Sequence, residues 1–221
     1  MALKSQKHVF WQALLVAIFI FAVGFSLGIV MEKWRAGVVY DDYDESDVDF
    51  LDLKIQSDLL GDSDFSCERA VEENINFGDR IFAKAVQLQE FEESQRLSDS
   101  LKQIHKKYDL LRTLFWINSI KIKQRCDSDY HNVVYLYNYE PSLDERAVQV
   151  VFSNFLKDLK SEMPGKIILI PIAANMGLNS LDYMMEEYGV DRFPAIVIDE
   201  DVKIYEIDEL RMISNIINET L

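Results

Sequence analysis

The chain has 221 residues, a net charge of −15 and two cysteines. That length allows one or two compact units with a true hydrophobic core. The acidity excludes nucleic acid as a partner, because neutralising phosphates takes Lys and Arg. His8, His105 and His131 are scattered, so no metal site and no cofactor is expected, and two cysteines allow one disulfide at most.

In chain order, the first signal is VFWQALLVAIFIFAVGFSLGIVM, Val9 to Met31, which carries no charge. It is about 23 residues long, and roughly 20 helical residues span a bilayer core. Trp11 and Trp34 stand near its ends, where amphipathic rings favour the headgroup layer. A cleaved signal peptide has a shorter apolar core, about 7–15 residues, before a small-residue cleavage site. The run therefore predicts a retained membrane helix over 9–31, with 1–8 as a cytoplasmic tail. Gly24 and Gly28 form a GxxxG spacing, more simply a lipid-facing pair than a dimer seam. Lys4 and Lys7 before the span balance Lys33 and Arg35 after it, so charge does not orient it.

Residues 32–64 are acidic, with DDYDESDVDFLD from Asp41 to Asp52, and read as a solvated tether. A calcium loop needs Gly at its sixth position and an acidic twelfth ligand. Counted from Asp42, those positions hold Asp47 and Leu53, so the template fails.

Residues 65–126 predict an antiparallel helical hairpin. Ser66 can cap a helix opening at Cys67, with an apolar stripe through Val71, Ile75, Gly78, Phe82, Ala85, Leu88 and Phe91. A coiled-coil-like heptad seam follows at Leu97, Leu101, Ile104, Tyr108, Leu111 and Phe115. The polar break at Ser94 to Ser98 marks the turn; one long helix is the alternative. Folding back there brings Cys67 and Cys126 to the same open end, which predicts a structural disulfide rather than two separate buried thiols. Closing a loop of about 60 residues stabilises by roughly 4 kcal/mol in the chain-entropy model. A disulfide implies a compartment outside the reducing cytosol, hence the N-terminus inside and the remainder outside.

Over 132–221 the period changes. Val133 to Asn138 is β-rich, and Pro141 opens a helix over Leu143 to Glu162. Lys166 to Ala173 is nearly continuous apolar sequence, as in a strand buried on both faces. Ser180 caps a short helix ended by Gly189. AIVID and VKIYEI form a hairpin across Glu200 and Asp201, and a last helix runs from Asp208 to Asn218. The order is βαβαββα, with a parallel pair and a closing antiparallel hairpin.

This order, together with YGVDRFPAIVID, Tyr188 to Asp199, resembles the thioredoxin superfamily over about the last 90 residues. The resemblance implies a cis-proline at Pro194, preceded by Phe193, and an α/β thioredoxin-like domain behind the membrane helix and hairpin. The family's Cys-x-x-Cys position reads Tyr-Glu-Pro-Ser-Leu-Asp here, 139–144, with Pro141 and Asp144 where the cysteines would stand. The whole chain is similar to membrane-anchored thioredoxin-like proteins of prokaryotes.

Dithiol exchange needs a thiolate at the mouth, and none is there. Glu140, Asp144 and Glu145 are carboxylates of the kind any helix N-terminus attracts. The expected function is a non-catalytic, extracytoplasmic binding or scaffold module. It is anchored through 9–31 and offers envelope proteins or peptides a groove at Phe193, Pro194, Tyr139 and Pro141. The competing reading is a thiol-disulfide oxidoreductase using Cys67 and Cys126, since a cysteine at a helix N-terminus has a lowered pKa.

Overall fold

The computed structural model describes residues 3–59, 66–94 and 99–219. The architecture is mixed α/β, with four strands and seven helices, one of them a 3-10 turn, among the described residues. It divides into two compact units, Met1–Asp47 and Val48–Leu221.

The first unit contains most of helix α1 (Leu3–Leu59). Its His8–Met31 segment is 24 residues long, apolar enough to cross a membrane and exposed throughout. A helix is the local solution because it satisfies every backbone polar group within the segment. Ser26 follows the same logic, its hydroxyl donating to the Ala22 carbonyl at 2.8 Å.

In the second unit, residues 48–59 depart from the expected tether. The end of α1 is helical and docks rather than hanging in solvent. Leu53 is buried, and its carbonyl accepts from Asn118 Nδ2 at 2.9 Å. Lys121 donates to Ser57 Oγ at 2.9 Å, and Lys84 pairs with Asp49 at 3.5 Å. The acidic composition concealed a single apolar anchor whose remaining partners are polar. Residues 60–64 lie outside the described ones.

Helices α2 (Cys67–Ser94) and α3 (Asp99–Cys126) form the expected hairpin. Residues 95–98 of the expected turn lie outside the described residues. The Cys67–Cys126 disulfide closes the open end, with Cα atoms 5.3 Å apart. Two details differ from the periodicity. The most buried stripe of α2 runs through Ala70, Asn74, Phe77, Ile81 and Leu88, about one position out of phase with the predicted one. Helix α2 touches both α3 and strand β2 (Ile167–Ala173), so its buried arc is wider than one seam. The predicted heptad positions of α3 from Leu101 to Phe115 are all buried, but so are Arg112, Trp116, Asn118 and Ser119. Helix α3 is thus a core helix rather than half of a coiled coil.

The remaining elements are β1 (His131–Tyr137), α4 (Leu143–Glu162), α5 (Asn179–Glu187), β3 (Ala195–Ile198), β4 (Val202–Ile204) and α6 (Leu210–Glu219). The sheet order is β2-β1-β3-β4, with β1 parallel to β2 and antiparallel to β3. On one face Val133, Tyr135, Ile167 and Leu169 pack with Phe152 and Leu156 of α4 and Ile213 of α6. The alternate residues Val134, Leu136, Ile168 and Ile170 point to the other face and are just as buried. That face is covered by the hairpin, so 65–126 and 132–221 are one compact unit and not two domains.

Local chemistry sets the remaining termini. Helix α4 has the expected span, and Ser142, the residue after Pro141, caps it. Its hydroxyl accepts from the Glu145 N–H at 3.3 Å, while Glu145 Oε2 accepts from the Ser142 N–H at 2.7 Å. This is a capping box. Ser180 lies inside α5, and Leu178 precedes that helix without a side-chain cap. The β3–β4 connection spans Asp199, Glu200 and Asp201, with Asp199 at φ +50° and Glu200 at φ +66°. Gly189, at φ +63°, ends α5 as expected, and the Val190 N–H returns to the Met185 carbonyl at 2.8 Å.

Gly78 marks a close approach of the hairpin to the sheet. A Cβ there would stand 2.9 Å from Ile168 Cγ2 and 3.3 Å from Phe115 Cζ. Gly78→Ala gains helix propensity of about 1 kcal/mol, but overpacking between buried neighbours costs about 1–3 kcal/mol. The expected outcome is a net loss of stability, read as a lower denaturation midpoint in the full-length chain.

Candidate functional site

The site grows from the C-terminal ends of β1 and β2. In α/β sheets these ends are where loops can converge on a ligand. Beyond β1 the chain turns through Asn138, Tyr139, Glu140 and Pro141 into the α4 cap, and each step is held. The Tyr139 N–H donates to Asn175 Oδ1 at 2.8 Å, and the Ala174 N–H donates to the Tyr137 carbonyl at 2.7 Å. Lys102 of α3 pairs with Glu140 at 3.1 Å. Asn138 Nδ2 donates to Glu145 Oε1 at 3.2 Å. The Ser142 N–H and hydroxyl hold the Glu145 carboxyl below its ordinary range. Glu140 and Glu145 are therefore occupied in holding this loop.

Next to the loop lies a cavity of about 490 Å³ between α2, α4 and the sheet. Its floor is Tyr135, Tyr137, Leu169 and Pro171, and its walls include Phe82 and Val86 of α2 and Arg146 and Gln149 of α4. On α4 the lining residues Arg146, Gln149, Val150, Ser153 and Lys157 recur at helical spacing, so one stripe runs the length of the cavity. Gln149 is buried, and its Nε2 has no hydrogen-bond partner among the described residues. Burial raises the Tyr135 phenol far above its ordinary value and keeps it neutral.

His105 of α3 closes one end. Its Nε2 lies 3.0 Å from the Tyr137 hydroxyl and 3.3 Å from Asp109 Oδ2, and its ring is 4.5 Å from that of Tyr139. Asp109 is fully buried and also accepts from Arg112 Nη1 at 2.9 Å. Burial pushes its carboxyl up against the opposing pull of His105 and Arg112.

Of the predicted groove residues, the structure gathers Tyr139 and Pro141 at the cavity, but Phe193 and Pro194 do not line it. The Phe193–Pro194 peptide is cis, and Pro194 is buried just beyond the Leu136–Ala195 pair that joins β1 to β3. The cysteines belong to the opposite end of β3. Lys123, less than one helical turn before Cys126, pairs with Asp199, which follows β3, whereas Pro194 precedes it.

That opposite end holds a second polar cluster, which periodicity did not reveal. Asp199 accepts from Lys123 at 2.5 Å and from the Asn132 N–H at 2.9 Å, and it lies 2.6 Å from His131 Nδ1. Glu200 accepts from Trp116 Nε1 at 2.7 Å. Beneath them Ser119 joins Asn132 Oδ1 at 2.6 Å to Asn74 Nδ2 at 2.9 Å, and the Tyr130 hydroxyl donates to the Ser119 carbonyl at 2.7 Å. Burial pushes the Tyr130 phenol up to about 12. The available signal was Asn74 and Ser119 standing at buried positions of apolar helices.

The chain matches no protein-family model, and no curated protein and no solved structure is significantly similar to it.

Asp199 and Glu200 titrate in opposite senses. Burial alone would raise Asp199, but the bonds from His131, Lys123 and Asn132 outweigh it and lower its carboxyl. Glu200 is raised by burial, with the neighbouring Asp199 charge adding to it. The Asp199 contribution to stability is therefore complete above the ordinary Asp value of about 3.9 and fades as pH falls through its lowered value. The charged Glu200 is a burden above its raised value, and that burden vanishes below the ordinary Glu value of about 4.3. At neutral pH, Asp199→Asn is expected to destabilise by about 1–3 kcal/mol, the loss of hydrogen bonds to a charged group. Glu200→Gln is expected to stabilise, with its advantage shrinking under acid. Denaturant unfolding of both variants across pH checks the two signs.

Proposed function

We propose that this protein is a membrane-anchored binding module of thioredoxin-like architecture, with its folded unit on the extracytoplasmic side. It holds an extended peptide or protein segment at the β1–α4 mouth without thiol chemistry. The observation that carries this reading is the position of the sulfurs. The chain's two cysteines are bonded to each other at the hairpin's open end, next to the Asp199 cluster. The mouth at the other end of the sheet presents Tyr139, Pro141 and Ser142 instead. Aromatic and imide surfaces there suit extended backbone, and an extended segment can pair beside Phe193 and Pro194 by β-addition.

Two features support this topology. His8–Met31 supplies one segment apolar enough to span a bilayer, and a disulfide persists where glutathione does not reduce it. The flanking Lys and Arg leave either orientation open, and the disulfide is what supports a folded unit outside.

Two measurements test the reading in the full-length chain in cells. A photo-crosslinking residue at Tyr139 or Phe193 is expected to capture discrete protein adducts, and one at exposed Met212 of α6 is not. Equal labelling from all three positions, or none from the first two, refutes a peptide-holding mouth. Protease added to intact cells stripped of any outer barrier is expected to remove the folded unit; full protection places it inside. Disulfide reductase turnover lost in Cys67→Ser would instead favour the oxidoreductase reading.

A further inference from the structure

The cavity between α2 and α4 differs from the rest of the molecule in charge. The chain carries 38 Asp and Glu against 23 Lys and Arg. Among the described residues that line the cavity there is no Asp or Glu, whereas Arg146 and Lys157 both face it. Neither Arg146 nor Lys157 has an ion-pair partner among the described residues. In an acidic protein, a cavity rim that carries Arg146 and Lys157 and no carboxylate among its described lining residues favours a foreign anion.

The walls add the second half of the argument. Phe82, Val86, Val150, Leu156 and Leu169 present aliphatic and aromatic carbon, and the volume of about 490 Å³ suits a small organic molecule. Gln149 supplies the independent pointer. It is a lining residue with only 8% of its surface exposed, and its Nε2 donor is unsatisfied. A buried amide donor without an acceptor is unfavourable, and native structures seldom leave one so. Gln149 sits one turn after Arg146 on the same face of α4, so an acceptor oxygen between them would meet both a charged and a neutral donor.

We infer that this cavity binds a small monocarboxylate with an apolar body, its carboxylate held by Arg146 and Gln149 and its body lying between α2, α4 and the sheet. A carboxylate matches the planar guanidinium fork in two parallel hydrogen bonds and leaves a lone pair for the amide. The cavity shares Tyr139 and Pro141 with the peptide-holding mouth but not Phe193 and Pro194, and its anion-holding pair, Arg146 and Gln149, lies outside that mouth, so naphthoate binding and peptide crosslinking can fail separately.

The test uses the full-length protein in nanodiscs at neutral pH, with naphthoate as the probe and naphthamide as its neutral isostere, by titration calorimetry. Naphthoate is expected to saturate one site and to bind about tenfold more tightly than the amide, the effect of one charged hydrogen bond. Arg146→Ala removes that preference and Arg146→Lys keeps part of it. Val150→Trp fills the cavity from a partly exposed lining position, so the fold is retained by circular dichroism while both probes lose binding. Equal affinities for the two probes, binding unchanged in Val150→Trp, or no saturable binding to a folded protein each overturn the inference.

Discussion

A sheet that is apolar on both faces must be covered on both. Val134, Leu136, Ile168 and Ile170 are as fully buried as Val133, Tyr135, Ile167 and Leu169 on the reverse side. The βαβ crossover and the last helix, α4 and α6, cover only one of these faces. The short α5 is too small to cover the other, so the hairpin of α2 and α3 must do it. Everything else in the hairpin follows. Helix α3 is buried on more than one side because it lies between the sheet, α2, α5 and the end of α1. Gly78 is small because α2 is pressed onto Ile168. Helix α2 also lies along β2, the outermost strand, and an exposed strand edge is an invitation to unwanted pairing. The opposite edge, β4, is protected by being only three residues long.

Covering the sheet with a hairpin that precedes it in sequence creates a closure problem, because the two helices are tied to the strands by one connection after Cys126. The disulfide and the Asp199 cluster address it at the same end. The bond joins the helix termini, and Lys123, His131 and the Asn132 N–H converge on one carboxylate in the β3–β4 turn. Asp and Asn tolerate the left-handed backbone better than most residues, and Asp199 adopts it at little cost; Glu200 is less suited, and its bond to Trp116 Nε1 holds it there. A buried polar network of this kind, with most members satisfied, fixes one arrangement of helices over strands where apolar packing alone would tolerate sliding.

These two levels differ in how far they could be read beforehand. The strands were visible because Val133 to Leu136 and Ile167 to Ile172 are branched or aromatic runs, and α4 because its start, stop and apolar stripe agree. The sulfur pairing was visible because a helical hairpin has only one way to bring its ends together. What stayed hidden depends on long-range partners. No local pattern marks Asp199 as the acceptor for groups 67 to 76 residues away. Leu53 is one apolar residue in an acidic segment, and its value appears only when Asn118 reaches its carbonyl. The phase of α2 was misjudged because Asn74, a polar residue, occupies a buried position that apolar counting skips. The cavity was hidden too, since it is a gap between α2 and α4 and a gap has no residue of its own.

The two ends of the sheet therefore differ in construction. One end is closed by a covalent bond and a dense set of buried hydrogen bonds, and it contains both sulfurs. At the other, β1 and β2 run out beneath a tethered loop, beside an open cavity whose charge is opposite to that of the chain. A binding site needs a rigid frame and a surface left unsatisfied, and a frame fixed at its far end leaves the near end free to vary in chemistry. Sulfur braces one end, and the cavity near the other offers aromatic rings, a guanidinium and an unpaired amide. A reactive thiol beside such a cavity would need solvent access and a lowered pKa. None of the described residues lining this cavity is a cysteine, and Tyr135, Leu169 and Pro171 make up much of its sheet side.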